Sequence, residues 1–413
     1  MKTISSLFLL SVFVVNLMSQ TEQKPSVKFS GFIKTDFFYD TRQTSASNGI
    51  REGHFYLFPD SILYDKDSTY DINDKDVFHI LSIQTRVRAN ITGPDALGAK
   101  TSGMIETEFF GTSETDLNGL RLRHAFVKLN WKKSELLIGQ FWHPMFPVNA
   151  IPGTVSFNTG APFIAFSRNP QIKMSYNFIS TLSFNLTAYG ERDFASIGPD
   201  GVSNKYIRNA NVPGLNGEMV FKSDSIKLTF VAGSNYFSIV PEIKTSKNYY
   251  TDTKLSSLSF YGYLQKKIKD ITIRTGAYYA QNPHSVMMIG GYAVANVTDT
   301  AKNHKEYTNI TTATGWLDIQ ANIKKWQIGL YGGYAKNMGS DKEIKGNKYA
   351  RGGNIDYLYR LSPRISYIED KLTLSTEIEI TNAGYGRPQK NGTVVKTHDA
   401  RNIRFLFAAI YNF

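Results

Sequence analysis

Runs of alternating apolar and polar residues recur along the whole chain, and the connections between them alternate in length. One set is short: Ser180, Ser223-Asp224, Lys269-Asp270, Lys324-Lys325 and Glu369-Asp370. The other set is long, covering 192–214, 238–257, 281–310, 337–354 and 384–401. Short turns at one rim and long loops at the other mark a membrane-spanning barrel. A soluble β-sandwich has no physical reason to keep that rhythm. The runs are 27–39, 78–91, 102–111, 120–131, 135–141, 171–178, 182–191, 215–222, 226–237, 258–268, 271–280, 311–323, 326–336, 355–368, 371–383 and 402–413, about sixteen in all. An even count with both ends at the short-turn rim closes on itself. Helical periodicity is nearly absent.

The last run shows the pattern most clearly. Ile403, Phe405, Phe407, Ala409, Tyr411 and Phe413 share one face, while Asn402, Arg404, Leu406, Ala408, Ile410 and Asn412 share the other. An apolar, aromatic-rich face suits lipid, with an aromatic side chain at the interface. No run beyond residue 20 is long and apolar enough for a transmembrane helix, which needs about 20 residues. A membrane location therefore requires a closed barrel, because only helices and barrels satisfy every backbone group in lipid.

The chain begins with Met1-Lys2, an apolar run from Ile4 to Val15 and a small-residue exit at Ser19. This reads as a secretory signal peptide, residues 1–19, followed by a single outer-membrane barrel domain, 20–413. There is no Cys, which excludes disulfides, cysteine-based metal sites and a lipid-anchored N-terminus of the bacterial type. The net charge of +12 is dispersed along an exported chain. It points to anion attraction at a surface or pore, not to nucleic acid. The acidic residues Asp65, Asp67, Asp71, Asp74 and Asp76 lack Ca²⁺-loop spacing and read as a solvated loop.

The segment Trp142–Asn169 breaks the rhythm after the fifth run. It carries Pro144, Pro147, Pro152 and Pro162 together with Phe146, Phe157, Phe163 and Phe166. A loop this long is usually functional, and this one is too apolar to be solvated. It is expected to pack against something.

The stretch from Asn118 to Phe141 reads NGLRLRHAFVKLNWKKSELLIGQF, followed by Trp142-His143-Pro144. Arg121-Leu122-Arg123-His124-Ala125-Phe126 and the Leu136-Leu137 strand ending in Gly139-Gln140, with Trp142 after it, resemble the DcaP-like trimeric porins and their phosphate-selective porin relatives. The resemblance implies a sixteen-stranded barrel, a homotrimer and a loop after the fifth strand folded into the lumen. That loop coincides with the 142–169 segment found by counting runs. The chain lacks the long heptad segment that one branch of the family carries before its first strand.

If apolar faces meet lipid, the inward residues follow from alternation. The last run places Arg404 inward, the first Lys34 and Asp36, and the second Arg86 and Arg88. These runs are neighbours in a closed barrel, so Lys34, Arg86, Arg88 and Arg404 form a candidate basic strip. Glu106 and Glu108 flank it on one side, and Glu377, Glu379, Arg360 and Arg364 on the other. Opposed charged stripes in a narrow pore make a strong local field. The inserted loop has no acid and carries one permanent charge, Arg168. Arg121 and Arg123 share parity with lipid-facing Val127 and Leu129, and arginine at mid-bilayer costs about 2–4 kcal/mol. They sit at the rim, follow a bulge or lie in a subunit interface. The seven His show no metal spacing, and no Ser–His arrangement suits catalysis.

These readings predict an all-β transmembrane antiparallel barrel that passes small hydrophilic solutes, with a leaning to anions such as dicarboxylates or phosphate. No enzyme activity, cofactor, metal or nucleic-acid partner is expected, and outer-membrane lipid is the surrounding partner. A non-conducting structural or adhesion barrel is the alternative, and a barrel enzyme acting on lipid a more distant one.

Overall fold

The structure is a computed structural model that describes residues 24–44, 55–111 and 118–413. The 1–19 signal peptide lies outside the described residues. The described chain forms a closed antiparallel barrel of sixteen strands. They are β1 Ser26–Asp40, β2 in two pieces (Val77–Leu81 and Arg86–Thr92), β3 Lys100–Glu108, β4 Arg121–Asn130, β5 Ser134–Trp142, β6 Arg168–Ile179, β7 Leu182–Tyr189 and β8 Gly214–Ser223. The second half holds β9 Leu228–Ile239, β10 Leu255–Ile268, β11 Ile271–Gln281, β12 His304–Ile323, β13 Trp326–Ser340, β14 Ile355–Glu369, β15 Leu372–Pro388 and β16 Val394–Asn412. β16 pairs with β1 from Phe32 opposite Asn412 to Asp40 opposite Arg404, which closes the sheet. Closure removes both edges, so the ladder has no unpaired row of backbone groups to bury in lipid.

The tight turns at one rim are built on residues that accept positive φ. Lys269, Lys324 and Asp370 sit at φ 51°, 54° and 51° in the β10–β11, β12–β13 and β14–β15 connections. Two-residue turns of this hand match the right-handed twist of the flanking strands. At the other rim the strands overshoot the membrane. β12 runs for 20 residues, whereas a tilted transmembrane strand needs about 9–11. Its outer half pairs with an extra strand, Gly290–Asp299, and that strand pairs in turn with Lys348–Arg351. The long loops are therefore partly ordered, and the 192–214 loop carries the one short α-helix among the described residues, Lys205–Asn209. No helix among the described residues is long and apolar enough to cross a membrane.

The outer face is apolar, as the alternation requires. Ile33, Phe405, Phe407, Ile172, Leu186, Phe230, Phe260, Leu317, Ile328 and Leu361 all point outward and are exposed. Two local insertions reset that alternation. On β2, residues 82–85 lie opposite only 33–35 of β1, since Leu81 faces Asp36 and Arg86 faces Phe32. One extra residue reverses every side chain beyond it. Strict alternation from outward Val87 puts Leu81 and Ile83 on the lipid face; instead Leu81 shares the inward face of Asp36, and Ile83 is 5 % exposed within the lumen core. On β4, Glu106 of β3 faces His124 while Thr107 faces Leu122, so Arg123 is the extra residue. Arg121 and Arg123 are buried inward and Leu122 faces out, which selects the bulge among the three readings.

Gly139 and Gln140 of β5 complete that bulge. Gly139 has φ +136°, and a Cβ there would stand 2.2 Å from the Ala125 carbonyl oxygen. Only glycine fits. Gln140 donates from Nε2 to the Leu122 and Arg123 carbonyls, both at 3.0 Å, and so satisfies acceptors that the bulge frees from the ladder.

Candidate functional site

The lumen is crossed by the 143–167 segment between β5 and β6. Met145, Phe146, Phe157, Phe163, Ile164 and Phe166 join one buried cluster with wall residues from β9 to β16. The wall holds the loop by its backbone, strand after strand. Tyr278 of β11 donates to the Met145 carbonyl at 3.0 Å, Thr314 of β12 to Phe163 at 2.8 Å, and Tyr331 of β13 to Gly160 at 2.9 Å. Arg360 of β14 donates from Nη1 to the Ala161 carbonyl at 2.9 Å. On β15, Glu377 accepts from the Val155 N–H at 2.5 Å and Glu379 accepts from Asn158 Nδ2 at 2.8 Å.

A second segment enters the same space. Phe55, Tyr56, Leu57 and Phe58, on the long β1–β2 connection, are as buried as the inserted loop. Phe55 packs on Phe166 with ring centroids 4.9 Å apart and on Phe157 at 5.4 Å. The sequence reading missed this insertion, although four consecutive aromatic or aliphatic residues, 55–58, stand out in an otherwise polar segment. The acidic part of that connection folds on itself: Arg42 pairs with Asp71 at 2.7 Å, and the Asp65 carboxylate accepts from the backbone of Thr69 and Tyr70.

Most of the inward charges singled out from sequence fall into three groups, not one strip. In the first, on β2 to β4 and the start of β6, five guanidinium groups share three carboxylates. Arg86 Nε meets Glu108 at 3.0 Å, Arg88 Nη2 meets Glu106 at 2.5 Å, and Arg123 bridges Glu106 and Glu108 at 2.7 and 2.6 Å. Arg121 pairs with Glu108 and reaches Asp193 at 3.3 Å. Arg168 takes Asp193 at 2.7 Å, and its guanidinium lies 5.2 Å above the Trp142 ring. The surplus of cations makes this wall positive in a space shielded from bulk water.

The second group joins β1, β14, β15 and β16 around Tyr56. Arg404 grips Asp40, Arg360 lies 3.3 Å from Glu379, and the two guanidinium groups stand 4.6 and 4.7 Å from the Tyr56 ring. In the third, Arg364 and Arg274 share Asp318 at 2.7 and 2.9 Å, and the Gly153 N–H donates to the same carboxylate at 3.1 Å. Lys34 stands apart: its ammonium contacts Asp36 at 3.1 Å, Gln84 at 2.5 Å and the Val155 carbonyl at 2.6 Å.

Of the residues read from sequence as inward, Lys34, Arg404, Arg360, Arg364, Glu377, Glu379, Glu106, Glu108 and Arg168 are all buried in these contacts. Most of them fasten the inserted segments to the wall. Arg88, with 43 % of its side chain exposed, and Arg86, with 18 %, are the ones that meet open lumen. Asp40, Asp193, Arg274 and Asp318 were not singled out from sequence. Alternation alone marks Asp40 and Asp318 as inward, whereas Asp193 lies in a long loop with no such signal.

A closed sixteen-stranded barrel with a loop folded inward after its fifth strand is the porin fold. Among solved structures the chain is similar to the outer-membrane channel DcaP of Acinetobacter baumannii, with a TM-score of 0.70 at 16 % identity over 94 % of this chain and 98 % of that one. It is also similar to an anion-selective porin from Comamonas acidovorans, at 0.56 and 9 % identity over 94 % and 100 % of the two chains. For outer-membrane-expressed OmpT of Vibrio cholerae the values are 0.54 and 13 %, over 96 % and 99 %. No family model and no curated protein matches the chain by sequence. The architecture implied by the DcaP-like resemblance is present, from strand count to the position of the inserted loop.

Proposed function

We propose that this chain is an outer-membrane porin, a passive diffusion channel for small hydrophilic solutes that favours anions such as dicarboxylates or phosphate. The observation that carries the reading is the inserted loop itself. An acid-free segment crosses the lumen of a lipid-facing barrel opposite a wall where arginine outnumbers carboxylate. For an ion that passes this wall each surplus guanidinium counts, because little water screens it. Residues 1–19 act as the export signal, the chain works in the outer membrane as a homotrimer, and it has neither catalytic activity nor a nucleic-acid partner.

A second reading rests on a specific observation. Inward residues such as Asp40, Thr187, Tyr263 and Glu379 are almost fully buried. A lumen packed this densely also suits a structural barrel that conducts nothing. Single-channel recording in a planar bilayer under a KCl gradient decides between them. Stepwise conductance with an anion-selective reversal potential supports the porin reading. Cation selectivity removes the anion preference, and silence from folded protein moves the assignment to the structural barrel.

A further inference from the structure

Two cavities adjoin beneath the inserted loop, toward the short-turn rim, and Phe32 and Asn412 line both. The first, about 330 Å³, is walled by hydroxyl and amide side chains: Ser156 of the loop, Gln327, Ser366, Thr373 and Ser375 of the barrel, and Asn412. Lys34 also borders it, with its ammonium committed to Asp36, Gln84 and the Val155 carbonyl. The second, about 270 Å³, is bordered by Arg86, Arg88, Glu106 and Ser30. Glu106 does not make it acidic, because one carboxylate oxygen accepts from Arg88 and the other from Arg123.

Two hydroxyls of the loop that border the first cavity are left without a partner in this arrangement, those of Thr154 and Ser156. Ser156 is buried at 3 % exposure, borders the first cavity, and its hydroxyl has no hydrogen-bond partner. A buried hydroxyl without a partner is a cost to the fold, and a ligand hydroxyl that meets it removes that cost. Facing it, Ser366 and Ser375 bond to each other at 2.7 Å, which leaves their remaining acceptor capacity to the cavity. A bare inorganic anion finds charge at Arg86 and Arg88 but nothing to fill the hydroxyl-walled space. A neutral sugar finds hydroxyl partners but no countercharge. Together the cavities lie in the volume range of small-molecule sites, about 300–1,000 Å³.

We propose that the paired cavities are a binding subsite for a monosaccharide bearing one phosphate or carboxylate. Arg86 and Arg88 take the anionic group, and Ser156 with the hydroxyl and amide wall takes the sugar body. The inference names the solute class for the channel proposed above and rests on that reading for its physiological meaning, but binding is measurable without conduction. Isothermal titration calorimetry on the detergent-solubilised full barrel uses three probes: glucose 6-phosphate, glucose and inorganic phosphate. Glucose 6-phosphate is expected to bind about tenfold or more tightly than either fragment, as two independent sets of contacts combine. Ser156→Ala should weaken glucose 6-phosphate and leave inorganic phosphate unaffected, whereas Arg88→Ser should weaken both anionic probes. Equal affinity for phosphate and glucose 6-phosphate, or no binding of glucose 6-phosphate to folded protein, overturns the subsite. Loss of conductance with binding retained overturns the channel reading alone.

Discussion

Arg404 on the last strand holds Asp40 on the first through two parallel hydrogen bonds, Nε to Oδ1 at 2.9 Å and Nη2 to Oδ2 at 2.7 Å. The pair sits where the barrel closes, and Arg404 also stacks on Phe38 and on the inserted Tyr56. A forked arginine–carboxylate contact of this kind is both strong and directional. It ties closure of the sheet to the seating of the segment that fills it.

Removing one partner of that pair should be costly. Asp40→Ala takes the forked partner from a buried guanidinium and leaves it the more distant Glu379 carboxylate at 4.0 Å, and the expected loss is about 3–5 kcal/mol. Unfolding in urea from lipid vesicles, followed by tryptophan fluorescence, measures it. The double variant Asp40→Ala/Arg404→Leu should recover much of the loss. A single variant as stable as the parent protein would mean that the pair does not secure closure.

The inserted loop should loosen when its aromatic anchor is cut. Phe166 packs on Trp142 at 5.3 Å and on Phe55 at 4.9 Å. Phe166→Ala removes a fully buried ring, a change that costs about 3–5 kcal/mol of packing. The readout is single-channel conductance, which should rise. Unchanged conductance would show that the loop does not limit the current.

Ion selectivity should respond most at the exposed guanidinium groups. Arg88→Gln is expected to shift the zero-current potential toward cations, with little effect on folding because 43 % of the side chain already meets water and Glu106 keeps its pairing with Arg123. The shift should shrink between 0.1 M and 1 M KCl, as the screening length falls from about 10 Å to about 3 Å. Arg360→Gln removes a charge that faces loop carbonyls, and should perturb loop seating more than selectivity. A larger selectivity change at Arg360 than at Arg88 would invert this assignment.

The bulge on β4 depends on its neighbours across the ladder. Gln140→Leu leaves the Leu122 and Arg123 carbonyls without that donor, with an expected cost of about 1–3 kcal/mol. Gly139→Ala drives a Cβ into the Ala125 carbonyl and should be the more damaging of the two. Refolding yields into lipid vesicles rank them. If both refold like the parent protein, the bulge is held by Arg123 and its carboxylates alone.

Sequence pattern made the barrel legible because lipid imposes it strand by strand. Each outward position must be apolar, whatever its neighbours do. That rule is local, so the strand count, the closure of 402–413 on 27–39 and the loop after the fifth strand could all be read in advance. The inward faces of Lys34, Arg404, Glu106 and Glu377 followed from the same parity. Arg121 and Arg123 did not, since one inserted residue opposite Glu106 reverses the reading, and composition carries no mark of a bulge. Leu81 and Ile83 failed for the same reason on β2.

What alternation determined was which side of the wall each residue faces. What only the tertiary structure decided was who meets whom inside it. Partnerships such as Arg404 with Asp40, Arg168 with Asp193, and Arg360 with the Ala161 and Leu57 carbonyls join residues from about 25 to more than 300 positions apart. Their meeting depends on strand stagger around the barrel and on the path of two inserted segments, both set by packing across the whole lumen. A periodicity read along one strand contains neither. Of the four charges that looked like a free basic strip, Lys34 holds the Val155 carbonyl of the loop and Arg404 holds Asp40, so the open cation surface narrows to Arg88 and Arg86.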